Sequence, residues 1–435
     1  MLFGTGAWVS EGRTARLTQS VSWQVNIAKW DRKMLIPSAK LHSALLQTSF
    51  GLFWEETEPH KSIVLAPKLP TDIIKHIYLG VSVYLSTGFL PIRGGLAMCS
   101  TLAVADDPDA MFFIQRTHDP SDTELLARFY EQRQIELHPF DELNRNIASF
   151  KCEISVPFSK VDQLRRITPL VRELSDEERL SIFRHLEEIF AQDASPLKEI
   201  ELTILEKESP FWHHVHIPAN APINEPKRFN QPYFIGDEDQ GKQLEINLAR
   251  LLSSVFDENN LFASPFGVTQ DTENREFTDL LAVDSAGLLV IEAKAKAVTT
   301  ESLSQNNERR VKNIAKQVEK ALRQLRGAYR EALQEKLLTL RSQTEIRQVA
   351  LADLPIHLIV LVSENHPDLA KMDIPDKVIE LGEELGVGVH IFDLNGLSKL
   401  IRRCRDTQEL MSLLDRRWEI ASEHRVIKFA DEWLA

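Results

Sequence analysis

The chain has 435 residues, of which 43% are hydrophobic and 26% charged, and its formal net charge is −13. This length and composition predict two or three globular domains, each able to bury a core of its own. The cysteines are few, odd in number and widely separated, which argues against a disulfide framework or a zinc cluster and favours a reducing cytoplasm. They are Cys99, Cys152 and Cys404.

The first part of the chain, 1–205, alternates strand-like and helical runs and is predicted to be an α+β domain of no recognised family. No signal peptide is apparent at its start. The stretch nearest to a membrane span, Gly80 to Ala105, has Pro91 and Arg93 near its centre, so buried strands with a turn are expected instead. Recognition of a partner protein or of a signal is the default expectation for this domain.

A proline-rich connector is predicted over 206–234. Five prolines between Ser209 and Tyr233 exclude a helix or a central strand there. The connector also holds His213, His214 and His216, which lack an acid or cysteine at clear ligand spacing, so they are interpreted as linker residues. The third part of the chain then runs from 235 to 435.

This third part opens with a predicted amphipathic helix that carries one acid of interest. Leucines recur at helical spacing from Leu244 to Leu252, and Glu245 lies on the flank of their apolar stripe. The spacing fits two interpretations equally well. The Glu245 carboxylate either faces a site on the sheet or sits at the boundary and reaches solvent.

The most informative segment is Arg275 to Val298, which reads as a β-hairpin. Two apolar runs flank turn residues at Asp284-Ser285-Ala286-Gly287. If Val283 pairs with Leu288, Asp279 falls opposite Glu292. Side chains alternate between faces along a strand, so Asp279, Glu292 and Lys294 share one face, although a bulge at Gly287 would break this register.

Two acids opposed on a sheet face predict a cation between them. Their Cβ atoms would be roughly 5 Å apart, and two ionised carboxylates at that distance repel each other. A hard divalent ion, Mg²⁺ or Mn²⁺, would relieve the repulsion, and Lys294 could orient a water or stabilise negative charge beside it. The alternative is an edge hairpin with an inward-pointing charge, or a plain Asp–Lys ion pair.

A long basic helix is predicted over Asn306 to Lys336. Between 309 and 330 it holds eight basic residues and one acid, Glu319, in a chain that is otherwise acidic. Such a stripe would attract a phosphate backbone, although a solvated helix face is the competing interpretation. The basic residues assigned to nucleic-acid contact are Lys312, Lys316, Lys320 and Arg323.

The remaining elements are a buried strand at Pro355 to Val362, a helix at Asp376 to Leu385, a buried strand at Val387 to Phe392 and a helix from Asn395. From Gly241 onward the predicted order is helix, short strand, two hairpin strands, helix, strand, helix and strand. This order predicts an α/β domain with a mixed sheet flanked by helices.

At Asp279 and Glu292-Ala293-Lys294 the chain resembles the PD-(D/E)XK phosphodiesterase superfamily, which has the restriction-endonuclease-like fold. Twelve residues separate Asp279 from Glu292, and Thr278 stands where the family name has proline. The predicted order of elements resembles the family core over about 170 of the 435 residues. The first 205 residues carry no such resemblance.

The resemblance implies roles for particular residues. Asp279, Glu292 and the backbone carbonyl of Ala293 would hold Mg²⁺ or Mn²⁺, and Lys294 would assist the attacking water. Glu245 fits the glutamate that the family tends to place on the helix before the hairpin. Lys316 and Gln317 match positions where some relatives contact substrate, so the resemblance adds Gln317 to the residues assigned to nucleic-acid contact.

The function predicted from these features is that of a metal-dependent nuclease in the cytoplasm, acting on DNA rather than RNA, in a prokaryotic restriction or anti-phage defence system. The alternative is a catalytically inactive relative that binds nucleic acid or a partner protein. No membrane association is expected, and whether the chain forms a homo-oligomer stays open.

Overall fold

The protein is described by a computed structural model. The described residues are 35, 37–48, 50–57, 61–92, 94–105, 110–118, 122–166, a few positions between 175 and 188, 199–208, 235, 240–267, 275–295, 307–334, 337–341, 346–350, 354–363 and 367–427. The predicted connector is outside these ranges from 209 to 234, as are its three histidines. The structure is mixed α/β, with several sheets and helices.

The N-terminal part alternates helices and strands, as the sequence predicts. Its described elements are α1 (Ala39–Gln47), β1 (Trp54–Thr57), β2 (Ser62–Leu65), α2 (Thr71–Leu79), β3 (Ser82–Ile92), β4 (Gly95–Ala105), β5 (Ala110–His118), α3 (Asp122–Glu131), β6 (Gln134–Leu137), β7 (Ser149–Glu153), α4 (Phe158–Arg166), β8 (Ile200–Glu201) and β9 (Thr203–Glu208).

These strands form two sheets, one in the order β1-β2-β6-β7-β9 and one in the order β5-β4-β3-β8. The apolar stretch from Gly80 to Ala105 is an antiparallel hairpin of β3 and β4, so the prediction of buried strands with a turn is confirmed. Within the described part of the chain, no helix is both long and apolar enough to cross a membrane. Strand β9 continues to Glu208, past the predicted end of the first domain at 205.

The C-terminal part contains every element that the sequence predicts, in the predicted order. Its described elements are α5 (Gln240–Leu252), β10 (Leu261–Ala263), β11 (Phe266–Gly267), β12 (Arg275–Glu276), β13 (Leu280–Asp284), β14 (Gly287–Lys294), α6 (Asn307–Gln334), β15 (Leu337–Arg341), β16 (Ile346–Ala350), β17 (Ile356–Val362), α7 (Ile374–Leu385), β18 (Gly388–Asp393), α8 (Leu394–Arg402) and α9 (Thr407–His424).

The main sheet of this part has the order β10-β13-β14-β17-β18. Strands β10, β13 and β14 pair antiparallel, whereas β14, β17 and β18 pair parallel, so the sheet is mixed. A second sheet, β12-β11-β15-β16, was not predicted, and neither was helix α9. The division into domains at 206–234 stays a prediction.

The central hairpin has the register that the turn residues predict. Val283 pairs with Leu288, and the strands close through a two-residue turn at Ser285 and Ala286. The Asp284 carboxylate accepts a hydrogen bond of 2.7 Å from the Ala286 backbone N–H, which fixes the turn. The pairing continues without a register shift to Gly287, so no bulge interrupts it there.

Gly287 is required at the start of β14 because the neighbouring strand comes very close. A Cβ atom at this position would lie 2.8 Å from the carbonyl oxygen of Pro355. The same carbonyl accepts a hydrogen bond of 2.8 Å from the Leu288 N–H, where β14 and β17 begin to pair. A larger residue at position 287 would push the two parallel strands apart.

The two faces of the main sheet bury separate cores, and this determines which way the hairpin acids point. Leu281 and Val290 pack in one core with Val318 of α6. Leu280 and Ile291 pack in another core with α5. By alternation along each strand, Asp279 and Glu292 belong to the face that α6 covers.

The N-terminal part contacts the C-terminal sheet domain directly. The guanidinium of Arg145 donates a hydrogen bond of 3.1 Å to the side-chain oxygen of Asn247 on α5. Arg402 of α8 donates one of 2.9 Å to the carbonyl of Leu46 in α1. Leu143 also packs among the residues of the α5 core.

Candidate active site

Asp279, Glu292 and Lys294 come together at one end of the main sheet, as the sequence predicts. Glu292 and Lys294 are two of the last three residues of β14, and Asp279 directly precedes β13. The backbone carbonyl of Asp279 accepts a hydrogen bond of 2.8 Å from Ser264 N–H, so the residue is tied to the end of β10 although it lies outside the strand. We call these three residues the charged trio.

A single ammonium group joins the two carboxylates of the charged trio. The Nζ atom of Lys294 lies 2.7 Å from Oε2 of Glu292 and 3.1 Å from Oδ2 of Asp279. Two acids face one base, so the cluster keeps one more negative than positive group when all three are ionised. The cation that the opposed acids require is, in this structure, supplied by the chain itself.

The position of Asp279 is further fixed by the backbone. Its Oδ2 atom accepts a hydrogen bond of 2.6 Å from the Ala293 N–H, in addition to its contact with Lys294. This bond holds the carboxylate against the strand that carries Glu292. Asp279 therefore contacts each of the next two residues after Glu292, and its rotamer is constrained before any ligand binds.

Thr278 supports the same corner and was missed as a contributor from the sequence. Its hydroxyl donates a hydrogen bond of 2.7 Å to the carbonyl of Ile291, and the residue is buried. The bond links the residues immediately before Asp279 and before Glu292. The sequence feature that could have indicated this bond is a threonine at the position of the family proline, because the hydroxyl of a buried threonine needs a hydrogen-bond partner.

Burial differs within the charged trio. The side chain of Glu292 is only 3% exposed, whereas those of Lys294 and Asp279 are 15% and 16% exposed. The trio is therefore open on the side of Asp279 and Lys294 and closed around Glu292. A ligand that reaches the trio would meet Asp279 and Lys294 first.

The protonation of Glu292 reflects this burial. The pKa of its carboxyl is raised to about 7, first by burial and second by the charge of Asp279, while Lys294 opposes both effects. For Lys294, burial lowers the pKa of the ammonium, but its contacts with Glu292 and Asp279 outweigh burial and the net shift is upward. Lys294 therefore stays charged at neutral pH, and Glu292 titrates there.

Glu245 is half-buried on α5, and α5 packs on the opposite face of the main sheet from α6. No group of three or more histidine, cysteine or acidic side chains arranged to hold a metal occurs among the described residues. The structure thus brings two of the proposed ligands together as side chains, Asp279 and Glu292, and does not add Glu245 to them. The reason is that Glu245 belongs to a helix on the other layer.

The basic helix α6 presents several of the predicted cations to solvent. The exposed members of the predicted contact set are Lys312, Lys316, Lys320 and Arg323, while Gln317 is half-buried. Of these, Lys316, Lys320 and Arg323 recur at helical spacing and form no ion pair with a described acid. We call these three residues the open stripe.

Other cations of α6 are committed to α7. Arg326 and Arg330 lie 2.9 and 2.7 Å from the carboxylate of Glu384, and Lys377 reaches back to Glu319 at 2.5 Å. The full run of eight basic residues is therefore not one free surface. Pairing with the single carboxylate of Glu384 offsets part of the positive charge of Arg326 and Arg330, whereas the middle of the helix has no such partner among the described acids.

Topology places the start of α6 near the charged trio. Strands β14 and β17 are parallel, and α6 follows β14 and packs against both strands. A helix that connects parallel strands runs antiparallel to them, so its first turns lie toward the sheet end where β14 finishes at Lys294. The open stripe begins at Lys316, nine residues after the first residue of α6.

Comparisons with known proteins give little further information. No protein-family model and no curated protein matches the chain. Among solved structures, the structure of restriction endonuclease FokI is similar over 42% of this chain and 28% of that chain, with 9% identity and a TM-score of 0.21. The match spans less than a third of that protein's length, and a TM-score this low does not establish a shared fold.

Proposed function

We propose that this protein is a metal-dependent nuclease that hydrolyses phosphodiester bonds in DNA. The observation that carries the proposal is the pair of carboxylates of Asp279 and Glu292. Both contact the ammonium of Lys294 at one end of a mixed sheet. The raised pKa of the Glu292 carboxyl supports a functional site, because a position that is buried only for structural reasons usually holds a neutral side chain.

The charged trio fits a hard divalent cation by the nature of its donors. Asp279 and Glu292 offer carboxylate oxygens that already share one positively charged partner, so they suit Mg²⁺ or Mn²⁺ with several retained waters. We assign the carbonyl of Ala293 as a further ligand, while Glu245, which the structure does not bring to this pair, stays a ligand that only the resemblance implies. When bound, the metal would polarise the scissile phosphate and lower the pKa of a bound water.

The protein's own residues do the remaining work. The Glu292 carboxyl must give up its proton before it can act as a ligand, and with a pKa of about 7 it does so near neutral pH. Lys294 stays protonated and stabilises the negative charge that develops on the phosphate. Asp279, fixed by the Ala293 N–H, keeps its oxygen aimed at the same point.

Binding of the polynucleotide is assigned to the basic helix. Lys312, Lys316, Gln317, Lys320 and Arg323 would contact the phosphate backbone near the site. The acidic remainder of the chain repels DNA elsewhere, which favours one orientation of approach. These contacts carry no base identity, so they position the DNA without specifying a sequence.

The N-terminal α+β part is assigned to sensing or to docking of a partner protein. Its support is physical contact with the site domain, through Arg145 and Asn247 on α5. A role in restriction or anti-phage defence follows from the resemblance at Asp279 and Glu292-Ala293-Lys294 and stays a prediction.

A cleavage assay tests the proposal. Plasmid, linear and single-stranded DNA and an RNA substrate are incubated with the protein in Mg²⁺, Mn²⁺ or EDTA, alongside Asp279→Ala and Lys294→Ala. We expect cleavage only with a divalent ion and loss of cleavage in both variants. Glu380→Gln, an exposed acid on α7, is the matched control and should cleave like the wild type.

The same assay addresses the inactive alternative. One observation favours that alternative, because Lys294 already contacts both carboxylates in the absence of a metal. Cleavage that survives both substitutions would place the activity elsewhere. DNA binding without cleavage under every metal condition would support a binding module instead.

A further inference from the structure

We propose that Lys294 competes with the divalent ion for one position, so that the metal-free site is held closed by the chain's own ammonium group. This inference rests on the proposed function and concerns the regulation of the same site. It assigns to Lys294 a second role, that of an internal stand-in for the metal, besides its role at the phosphate.

The geometry carries the first step. Lys294 Nζ lies 2.7 Å from Glu292 Oε2 and 3.1 Å from Asp279 Oδ2, so one ammonium bridges one oxygen from each acid. These two oxygens face the gap between the carboxylates. A cation that bridges the acids through these two oxygens would take the position that the Lys294 ammonium now holds.

Charge and distance carry the second step. A divalent ion would bind these oxygens at about 2.0–2.1 Å, closer than the ammonium does, and would sit within a few ångströms of Nζ. Two cations at that separation repel each other strongly, so occupancy by one opposes occupancy by the other. Metal binding therefore requires Lys294 to withdraw.

The Lys294 side chain is able to withdraw. It is 15% exposed, and Asp279 beside it is 16% exposed, so the ammonium has an outlet toward solvent. Its unbranched stem has several rotatable bonds, and the ammonium makes point-charge contacts that carry no directional constraint. Once released from the acids, the ammonium is available to bind a phosphate. Metal binding therefore frees Lys294 for its role at the phosphate.

The test measures Mn²⁺ binding in the absence of DNA. The free Mn²⁺ signal in electron paramagnetic resonance is followed during titration of the full-length wild type, Lys294→Met and Lys294→Arg. Methionine keeps the length of the stem and removes the charge. Lys40→Met, at an exposed position on α1, is the matched control.

We expect Lys294→Met to bind Mn²⁺ at least about tenfold more tightly than the wild type, because a competing cation has been removed. Lys294→Arg keeps the positive charge and should stay within about threefold of the wild type. Lys40→Met should not change the affinity.

Thermal unfolding in EDTA gives a second readout that reports on folding. Without metal, Lys294→Met leaves two close carboxylates unneutralised, and its Tm should fall by about 2–8 °C. Added Mn²⁺ should raise the Tm of Lys294→Met by more than it raises that of the wild type. A folded Lys294→Met protein with these two shifts supports the proposal.

The outcomes separate this inference from the proposed function. If wild type and Lys294→Met bind Mn²⁺ with equal affinity, or Lys294→Met binds more weakly, the competition is overturned while the metal site stands. If neither protein binds Mn²⁺, the metal site itself fails, and the competition fails with it.

Discussion

Two clusters of buried charged side chains in this molecule differ in their ratio of acids to bases. In the N-terminal part, Asp141 and Arg145 are both fully buried, and the Oδ2 atom of Asp141 lies 2.6 Å from Nε and 2.5 Å from Nη2 of Arg145. The other carboxylate oxygen accepts backbone N–H groups of Leu143 and Arg145, and Arg145 also binds Asn247. Asp141 and Arg145 form a one-to-one ion pair without access to solvent, and one further buried acid and base, Glu142 and Lys68, interact electrostatically with Asp141.

The charged trio at the sheet end lacks this balance. Two acids share one ammonium, and Asp279 and Lys294 keep 16% and 15% of their side chains exposed. Buried charges in a structural role are paired and hydrogen-bonded, as Asp141 and Arg145 are. A cluster with more acids than bases at an accessible sheet end lowers the stability of the fold. Such a cluster is typical of a binding site.

The largest expected effect comes from breaking the balanced pair. Arg145→Ala leaves Asp141 buried without its partner and should lower the free energy of unfolding by about 3–5 kcal/mol. Urea denaturation followed by circular dichroism measures this. Arg166→Ala, which removes an exposed pair with Asp162, is the control and should cost at most about 1 kcal/mol. Equal losses in the two variants would contradict the structural role of Asp141 and Arg145.

A substitution in the charged trio should change stability little and activity strongly. Asp279→Asn leaves Glu292 and Lys294 as a one-to-one pair, so the free energy of unfolding should change by less than about 1.5 kcal/mol. DNA cleavage should fall at least about 100-fold, because a metal ligand is lost. A stability loss as large as that of Arg145→Ala, with cleavage retained, would make the trio structural.

The free energy of unfolding of the metal-free protein should depend on pH through Glu292 of the charged trio. The folded pKa of Glu292 is about 7, above its ordinary value of 4.5. The unfolded chain therefore loses the Glu292 proton at lower pH than the folded protein does, and the stability contributed by the protonated form is lost as pH rises toward 7. Relative to Glu292→Gln, the wild type should lose about 3 kcal/mol between pH 4.5 and 7.5.

Denaturation in EDTA at a series of pH values measures that difference. A constant difference across the range would mean that Glu292 is not shifted in the folded protein. With metal present, the slope should weaken or reverse, because the metal binds the ionised carboxylate.

The smallest expected effect lies on α6, where paired and unpaired cations can also be compared. Lys320→Ala removes a cation without a described acidic partner, and the slope of log binding constant against log salt for DNA should fall by about 0.9. Arg330→Ala removes a cation that shares the carboxylate of Glu384 with Arg326 and should change that slope by less. Binding at several salt concentrations, measured by fluorescence anisotropy, compares the two. A larger change for Arg330 would place the DNA elsewhere.

The hairpin and its charged trio could be predicted from the sequence because their determinants are local. Turn residues at Ser285 and Ala286 fix the register, and alternation along the strands places Asp279 and Glu292 on one face. The order of elements around the hairpin follows from hydrophobic periodicity in the same way, and the structure confirms it.

The rest depends on contacts between distant segments. Arg145 and Asn247 are 102 residues apart in the sequence, and no local pattern signals their hydrogen bond. The position of Glu245 depends on which layer its helix joins, which periodicity alone does not specify. That Lys294 bridges both acids depends on its rotamer, whereas spacing fixes only its face of the strand.

The central claim is that Asp279 and Glu292 bind one divalent cation, and a crystal structure of the protein soaked in Mn²⁺ tests it most directly. The expected result is an anomalous peak at about 2.0–2.4 Å from one oxygen of each acid, with the Lys294 ammonium moved away from both. A structure with Mn²⁺ in the solvent, no peak between the two acids and Lys294 still bridging them would contradict it.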